Sequence, residues 1–175
     1  MTTVAAPPQR SPVLVDPIAD RELQRVGYVV VPLLDPAEVD DLRRRQQLLR
    51  SDDDDGLVID FTAPDRQVMR ATADLLAPMW ERHLDRLFTG HRVVVSTFIV
   101  KHPGDASAMT MHHEPTFVQD DVPTYNSWIP LVDVDAATAN GVLRLVPGSE
   151  DLPFGLVGFN TPPLFRRYEA TFVEA

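Results

Sequence analysis

A chain of 175 residues with 44% hydrophobic side chains is long enough to close the core of one domain. A formal charge of −10 and a pI near 4.8 exclude a broad basic surface for nucleic acid or for an anionic membrane, so a small molecule is the expected partner. Cysteine is absent, which excludes disulfides and thiolate metal sites. With neither a secretory apolar run near the N-terminus nor a spanning segment, a cytoplasmic protein is expected.

Residues 1–15 open with Pro- and Ala-rich sequence and are expected to form a disordered arm, leaving 16–175 as a single domain. "DPIADRELQRVG" predicts a short helix with Asp16 as N-cap, Pro17 at the first helical position and Gly27 as the stop. "YVVVPLL" follows as an expected buried strand. "DPAEVDDLRRRQQLLR" repeats the Asp-Pro start, with Glu38 three residues after Asp35 as in a capping box, and packs through Val39, Leu42 and Leu49. The like charges of "SDDDDG" predict a solvated loop rather than a calcium loop, which would space its ligands. From Asp65 to Phe88, Val68, Thr72, Leu75, Leu76, Met79, His83, Leu84 and Leu87 form the stripe of a long amphipathic helix, on which His83 reads as a packing histidine.

After Gly90 the pattern changes. "HRVVVSTFIVKHPG", "ASAMTMHHEPTFV", "TYNSWIPLVDVD" and "GVLRLVPGS" are short β-rich runs punctuated by Pro, Gly, Asp and Asn. Helices followed by strands predict an α+β fold, with helices covering one face of a β-structure. In a strand, His112 and Glu114 share a face while His113 points away, so this spacing makes a clamp of imidazole nitrogen and carboxylate oxygen suited to iron(II), manganese or zinc. The alternative is a solvated edge strand.

In order and spacing, "GYVVVPLLDPAEVDDLR", "FIVKHPG", "MHHEPTFVQDD" and "SWIPLVDVDAATANGVLRLVPGS" resemble the phytanoyl-CoA dioxygenase-like family of iron(II)/2-oxoglutarate oxygenases, over roughly residues 22 to 165. The resemblance implies a double-stranded β-helix (jelly roll) and an oxidoreductase that uses iron(II) and 2-oxoglutarate to hydroxylate or otherwise oxidise a small molecule. It implies His112 and Glu114 as metal ligands, with no catalytic residue beyond them. It also places Lys101, Asn126 and Trp128 near the metal and co-substrate: Lys101 to pair with a 2-oxoglutarate carboxylate, Trp128 to wall the pocket. The other readings are a strand-end surface charge for Lys101 and core packing for the Trp128 ring. Asn140–Gly141 and Pro147–Ser149 match the family's turns, and an Asn-Gly pair is itself a tight-turn signal.

Three departures from the family pattern stand out. Glu114 replaces the usual aspartate and carries the carboxylate one methylene further. Glu150 stands where relatives often have histidine. Histidines occur only at 83, 91, 102, 112 and 113, and Arg166 and Arg167 lie too early to match the family's co-substrate arginine. The fold is therefore expected to be an incomplete β-helix, truncated before the distal-histidine strand. Three readings follow: the sequence is a fragment or frameshifted product of a working oxygenase, a homo-oligomer or a second polypeptide completes the sheet and supplies the third ligand, or the chain is a reduced relative without iron chemistry. The alternative function is a non-catalytic member of the family, acting as a ligand-binding or assembly module.

Overall fold

Two aspartate-proline pairs start the helical layer. In the computed structural model, which describes residues 11–49, 54–109, 124–135, 137, 140–149 and 173–174, α1 spans Pro17–Val26 and α2 spans Pro36–Gln47. Asp16 caps α1 by accepting from the backbone N–H of Ile18 at 2.8 Å and of Ala19 at 3.4 Å, and Gly27 ends the helix at a φ of 84°, which glycine adopts at little cost. Asp35 and Glu38 form the expected box. The Asp35 carboxylate accepts from the Glu38 N–H at 2.9 Å, and Glu38 Oε2 accepts from the Asp35 N–H at 3.1 Å.

Helix α3 spans Arg66–Leu87 behind its N-cap Asp65, and its buried stripe is Thr72, Leu76, Met79 and His83. Leu76 and Met79 meet Leu42 of α2 and Phe98 in the main core, ringed by Leu34, Leu49, Leu75, Trp80, Ile129 and Leu131. Full burial of such side chains contributes about 1.5–3 kcal/mol each, which makes this cluster the main attraction between the helices. His83 is the buried packing histidine that the stripe implies, and it has a partner. Its Nε2 donates to Glu38 Oε1 at 3.0 Å, and Arg82 reaches the same oxygen at 3.2 Å. The His83 bond, then that from the Asp35 N–H, holds the Glu38 carboxyl below its ordinary range.

A second core joins Val13, Leu14 and Ala19 to Leu23, Val29, Val31, Leu87, Phe88 and Tyr125. Leu14 bridges Phe88, the Val15 N–H donates to the Leu87 carbonyl at 3.0 Å, and the Thr89 N–H donates to that of Val13 at 2.8 Å. Buried Asp20 fastens the segment: its Oδ1 accepts from the N–H groups of Val13 (2.7 Å) and Leu14 (2.9 Å), and its Oδ2 from the Gln24 amide at 2.6 Å. A carboxylate survives burial when its lone pairs are filled in this way. Val13 and Leu14, within the expected arm of 1–15, are thus packed in the fold, and residues 1–10 lie outside the described residues.

Strand β1 (Leu57–Ile59) pairs antiparallel with β2 (Ile99–Lys101) in the register Leu57↔Lys101, Val58↔Val100, Ile59↔Ile99, and β3 (Arg144–Leu145) pairs antiparallel with β4 (Val173–Glu174). Single 3-10 turns occupy Asp60–Thr62 and Asp105–Ser107. Helices with small antiparallel ladders fit the α+β expectation; jelly-roll closure is not shown among the described residues. "YVVVPLL" is not the expected buried strand. It has no ladder among the described residues, and Val30 is 75% exposed while its neighbours Val29 and Val31 pack inward. Pro32, which has no N–H to give a ladder, interrupts the run. Likewise Val93, Val94 and Val95 of the next apolar run are exposed, and only its end, Ile99–Lys101, is strand. Among the described residues no helix is long and apolar enough to cross a membrane.

Two measurements check this layer. Asp60 is 1% exposed and its Oδ2 accepts from the Thr72 hydroxyl at 2.8 Å. Thr72→Val should cost about 1.5–3 kcal/mol in urea unfolding, the range for a hydrogen bond to a charged group, and Thr72→Ser should recover most of it. Because the folded pKa of Glu38 is depressed, its stabilisation is present above the ordinary carboxylate range and disappears as pH falls through the lower folded value. The stability gap between wild type and Glu38→Gln should therefore narrow as urea titrations move from about pH 6 towards about pH 3. A gap that widens on acidification would contradict the pairing.

Candidate functional site

The β1–β2 ladder has two sides. Phe98 is buried against Leu42, Leu76 and Met79, and strand alternation carries Val100 and then His102 to that same helical side. Ile99 and Lys101 have the opposite parity; Ile99 is 47% exposed and Lys101 is exposed too. Segment 128–132 alternates in exposure without a ladder. Ile129 and Leu131 pack against the helical core, whereas Trp128 and Val132 are 41% and 54% exposed. Asn126 and Ser127 before it are both exposed.

Lys101, Asn126 and Trp128 thus each lie away from the helical core. For Trp128 this corrects the core-packing reading: Ile129 and Leu131 take the inward parity, and the ring falls out of phase with them. Lys101 has no ion-pair or hydrogen-bond partner among the described residues. The predicted pair His112 and Glu114 lies outside the described residues, as does Glu150.

Sequence reasoning missed the neighbour of Lys101. Gly141 has a φ of 95°, and a β-carbon built on it would lie 3.5 Å from Lys101 Cδ. Neither local stretch signals this long-range contact. Asn140 braces the loop before it: its Oδ1 accepts from the Asp135 N–H at 2.8 Å, and its Nδ2 donates to the Asp133 carbonyl. The Asn-Gly pair therefore acts through the asparagine side chain as well as through glycine's backbone freedom. The Pro147–Ser149 turn is anchored separately. The Gly148 N–H donates to the Val26 carbonyl at 3.0 Å, docking the turn on the end of α1.

The other histidines lie apart from this face. His83 is committed to Glu38. His91 lies beside the rings of Phe88 and Tyr125, with centroids 5.7 and 6.0 Å away, and by strand alternation His102 falls on the helical side. His91 Nδ1 and His102 Nε2 are buried without a hydrogen-bond partner among the described residues, for which we have no physical account. Among the described residues no group of three His, Asp or Glu side chains is placed to hold a metal ion.

The two tryptophans test the two-sided arrangement. Trp80 borders the helical core and donates from Nε1 to Ser96 Oγ at 3.0 Å, whereas Trp128 faces outward. Trp128→Phe should remove the red, acrylamide-accessible part of the fluorescence and leave urea stability within about 0.5 kcal/mol. Trp80→Phe should remove the shielded part. Equal shielding of both rings would refute the assignment of Trp128 to the outer side.

A family model described as phytanoyl-CoA dioxygenase (PhyH) matches residues 23–167, most of the chain. No curated protein and no solved structure matches. With a family model matching from α1 through the β1–β2 ladder and beyond, the chain belongs to the phytanoyl-CoA dioxygenase family.

Proposed function

We propose that this protein is an iron(II)- and 2-oxoglutarate-dependent oxygenase that oxidises a small molecule, as its family membership suggests. His112 and Glu114, with a third group, hold the metal; Lys101 pairs with a carboxylate of 2-oxoglutarate; Trp128 walls the pocket and Asn126 offers an amide beside it. The donor chemistry fits, since a neutral imidazole and a carboxylate suit iron(II) and an unpaired ammonium suits a carboxylate. The bound metal supplies the oxidising chemistry, and the protein supplies binding, orientation and exclusion of water.

The observation that carries this reading is the position of Lys101. It is the sole lysine of a chain with a formal charge of −10, it is exposed on the side away from the helices, and it has no partner among the described residues. Its ammonium is available to donate charge-assisted hydrogen bonds to an incoming carboxylate. Ile99, Trp128 and Val132 are exposed apolar side chains that a bound ligand would cover. Water displaced from that surface strengthens the ion pair by lowering the local dielectric.

Anaerobic titration of the protein with iron(II) and 2-oxoglutarate should give a weak visible charge-transfer band. His112→Ala and Glu114→Ala should each abolish the band and weaken metal binding at least about tenfold, or about 1.4 kcal/mol. A wild-type protein without the band, or a His112→Ala variant with unchanged metal affinity, would defeat the proposal.

A further inference from the structure

We infer that Tyr125 is a positioning residue for the site: its ring, seated in the second core, fixes the near end of the short exposed stretch that carries Asn126 and Trp128. The inference rests on the reading of those two side chains as part of the co-substrate pocket and adds a residue to it.

Asn126, Ser127 and Trp128 are three consecutive exposed residues with no ladder among the described residues to hold them. Their placement depends on what lies at either end. Both ends are anchored, and in different cores. Ile129 and Leu131 pack on the main core of Leu42, Leu76, Met79 and Phe98. Tyr125 packs on the second core of Val13, Leu14 and Ala19, and His91 meets its ring edge-on, with centroids 6.0 Å apart and planes at 72°. A stretch held at both ends has few backbone conformations, whereas release of one end frees the φ and ψ angles up to the remaining anchor. Asn126, the direct neighbour of Tyr125, stands furthest from the other anchor. Of the side chains described around the second core, Tyr125 is the one contributed from beyond Gly90. Its seat is itself held by a buried charge. Asp20, 6% exposed, accepts from the N–H groups of Val13 and Leu14, and the Thr89 N–H ties Val13 to the end of α3. The N-terminal segment therefore reaches the candidate pocket through one ring.

In Trp80→Phe protein Trp128 is the sole tryptophan, so its fluorescence reports on this stretch alone. Without ligand, Tyr125→Ala should lower the anisotropy of Trp128 and increase its quenching by acrylamide, and Tyr125→Phe should restore most of both. Val13→Ala, which trims the seat without touching the stretch, should act in the same direction. Thr72→Val, which weakens a buried bond elsewhere, should leave both readings unchanged in the folded protein. In calorimetric titration of the Mn(II)-loaded protein, 2-oxoglutarate should bind at least about threefold more weakly to Tyr125→Ala than to wild type. In an Asn126→Ala/Trp128→Ala background the same substitution should cause no further loss, the non-additivity expected when one residue acts through others. Unchanged circular dichroism would confirm that each variant folds. An equal loss in both backgrounds would make Tyr125 merely structural and overturn the inference, as would a Trp128 signal that Thr72→Val moves as far as Tyr125→Ala does. A Trp128 signal unmoved by Tyr125→Ala would sink the positioning role alone. Wild-type affinity in Asn126→Ala/Trp128→Ala protein would sink the pocket reading of those residues and the positioning role with it, while metal binding by His112 and Glu114 stood.

Discussion

One carboxylate, that of Glu38, sets how the helical layer meets the rest of the chain. One of its oxygens closes the cap of α2 on the Asp35 N–H, and the other receives His83 and Arg82 from α3. It is not the largest energy in the layer. Leu42, Leu76, Met79 and Phe98 together remove far more apolar surface from water, at about 1.5–3 kcal/mol for each fully buried side chain. That attraction is non-directional, however, and two helices with apolar stripes can slide or rotate against each other at modest cost. A hydrogen bond between fixed points on α2 and α3 selects one crossing. The crossing in turn sets where Phe98 seats, and strand alternation from Phe98 sends Ile99 and Lys101 to the other side.

Local features of the fold were legible and long-range ones were not. Both Asp-Pro helix starts, the Asp35–Glu38 box and the α3 stripe depend on residues within a few positions of one another, and each appears as read. The burial of His83 followed from its place on the stripe, but its partner lies 45 positions away and left no local trace. Runs that are apolar throughout misled. "YVVVPLL" suggested a buried strand and the run holding the valines at 93–95 suggested a strand, yet an apolar run does not say which parity faces the core. The core-packing reading of the Trp128 ring, drawn from the usual burial of aromatics, fails because Ile129 and Leu131 take the core side and the ring is 41% exposed. Asp20 and Asp60 carried no local signal of burial: backbone N–H groups and a threonine hydroxyl satisfy them only once the chain is folded.

The candidate site rested on other grounds. Lys101, Asn126 and Trp128 were placed by resemblance rather than by any local physical signal, and all three are exposed. Gly141 and Asn140 read as a turn, which they help to make, while the closeness of Gly141 to Lys101 needs the chain to be folded before it exists.

Electrostatics explains why the placement of Lys101 matters here. The chain carries 26 acidic residues against 16 basic ones, so its long-range field disfavours a dianion such as the proposed co-substrate. At physiological ionic strength that field is screened over about 8 Å, and within that radius the arrangement of individual charges decides. A single ammonium that wanders over its rotamers offers a weak average attraction against this background. The same ammonium, held by its surroundings to fewer rotamers, would have less freedom to lose when a carboxylate arrives. On an acidic protein with one lysine, recognition of an anion is therefore a problem of aim more than of charge.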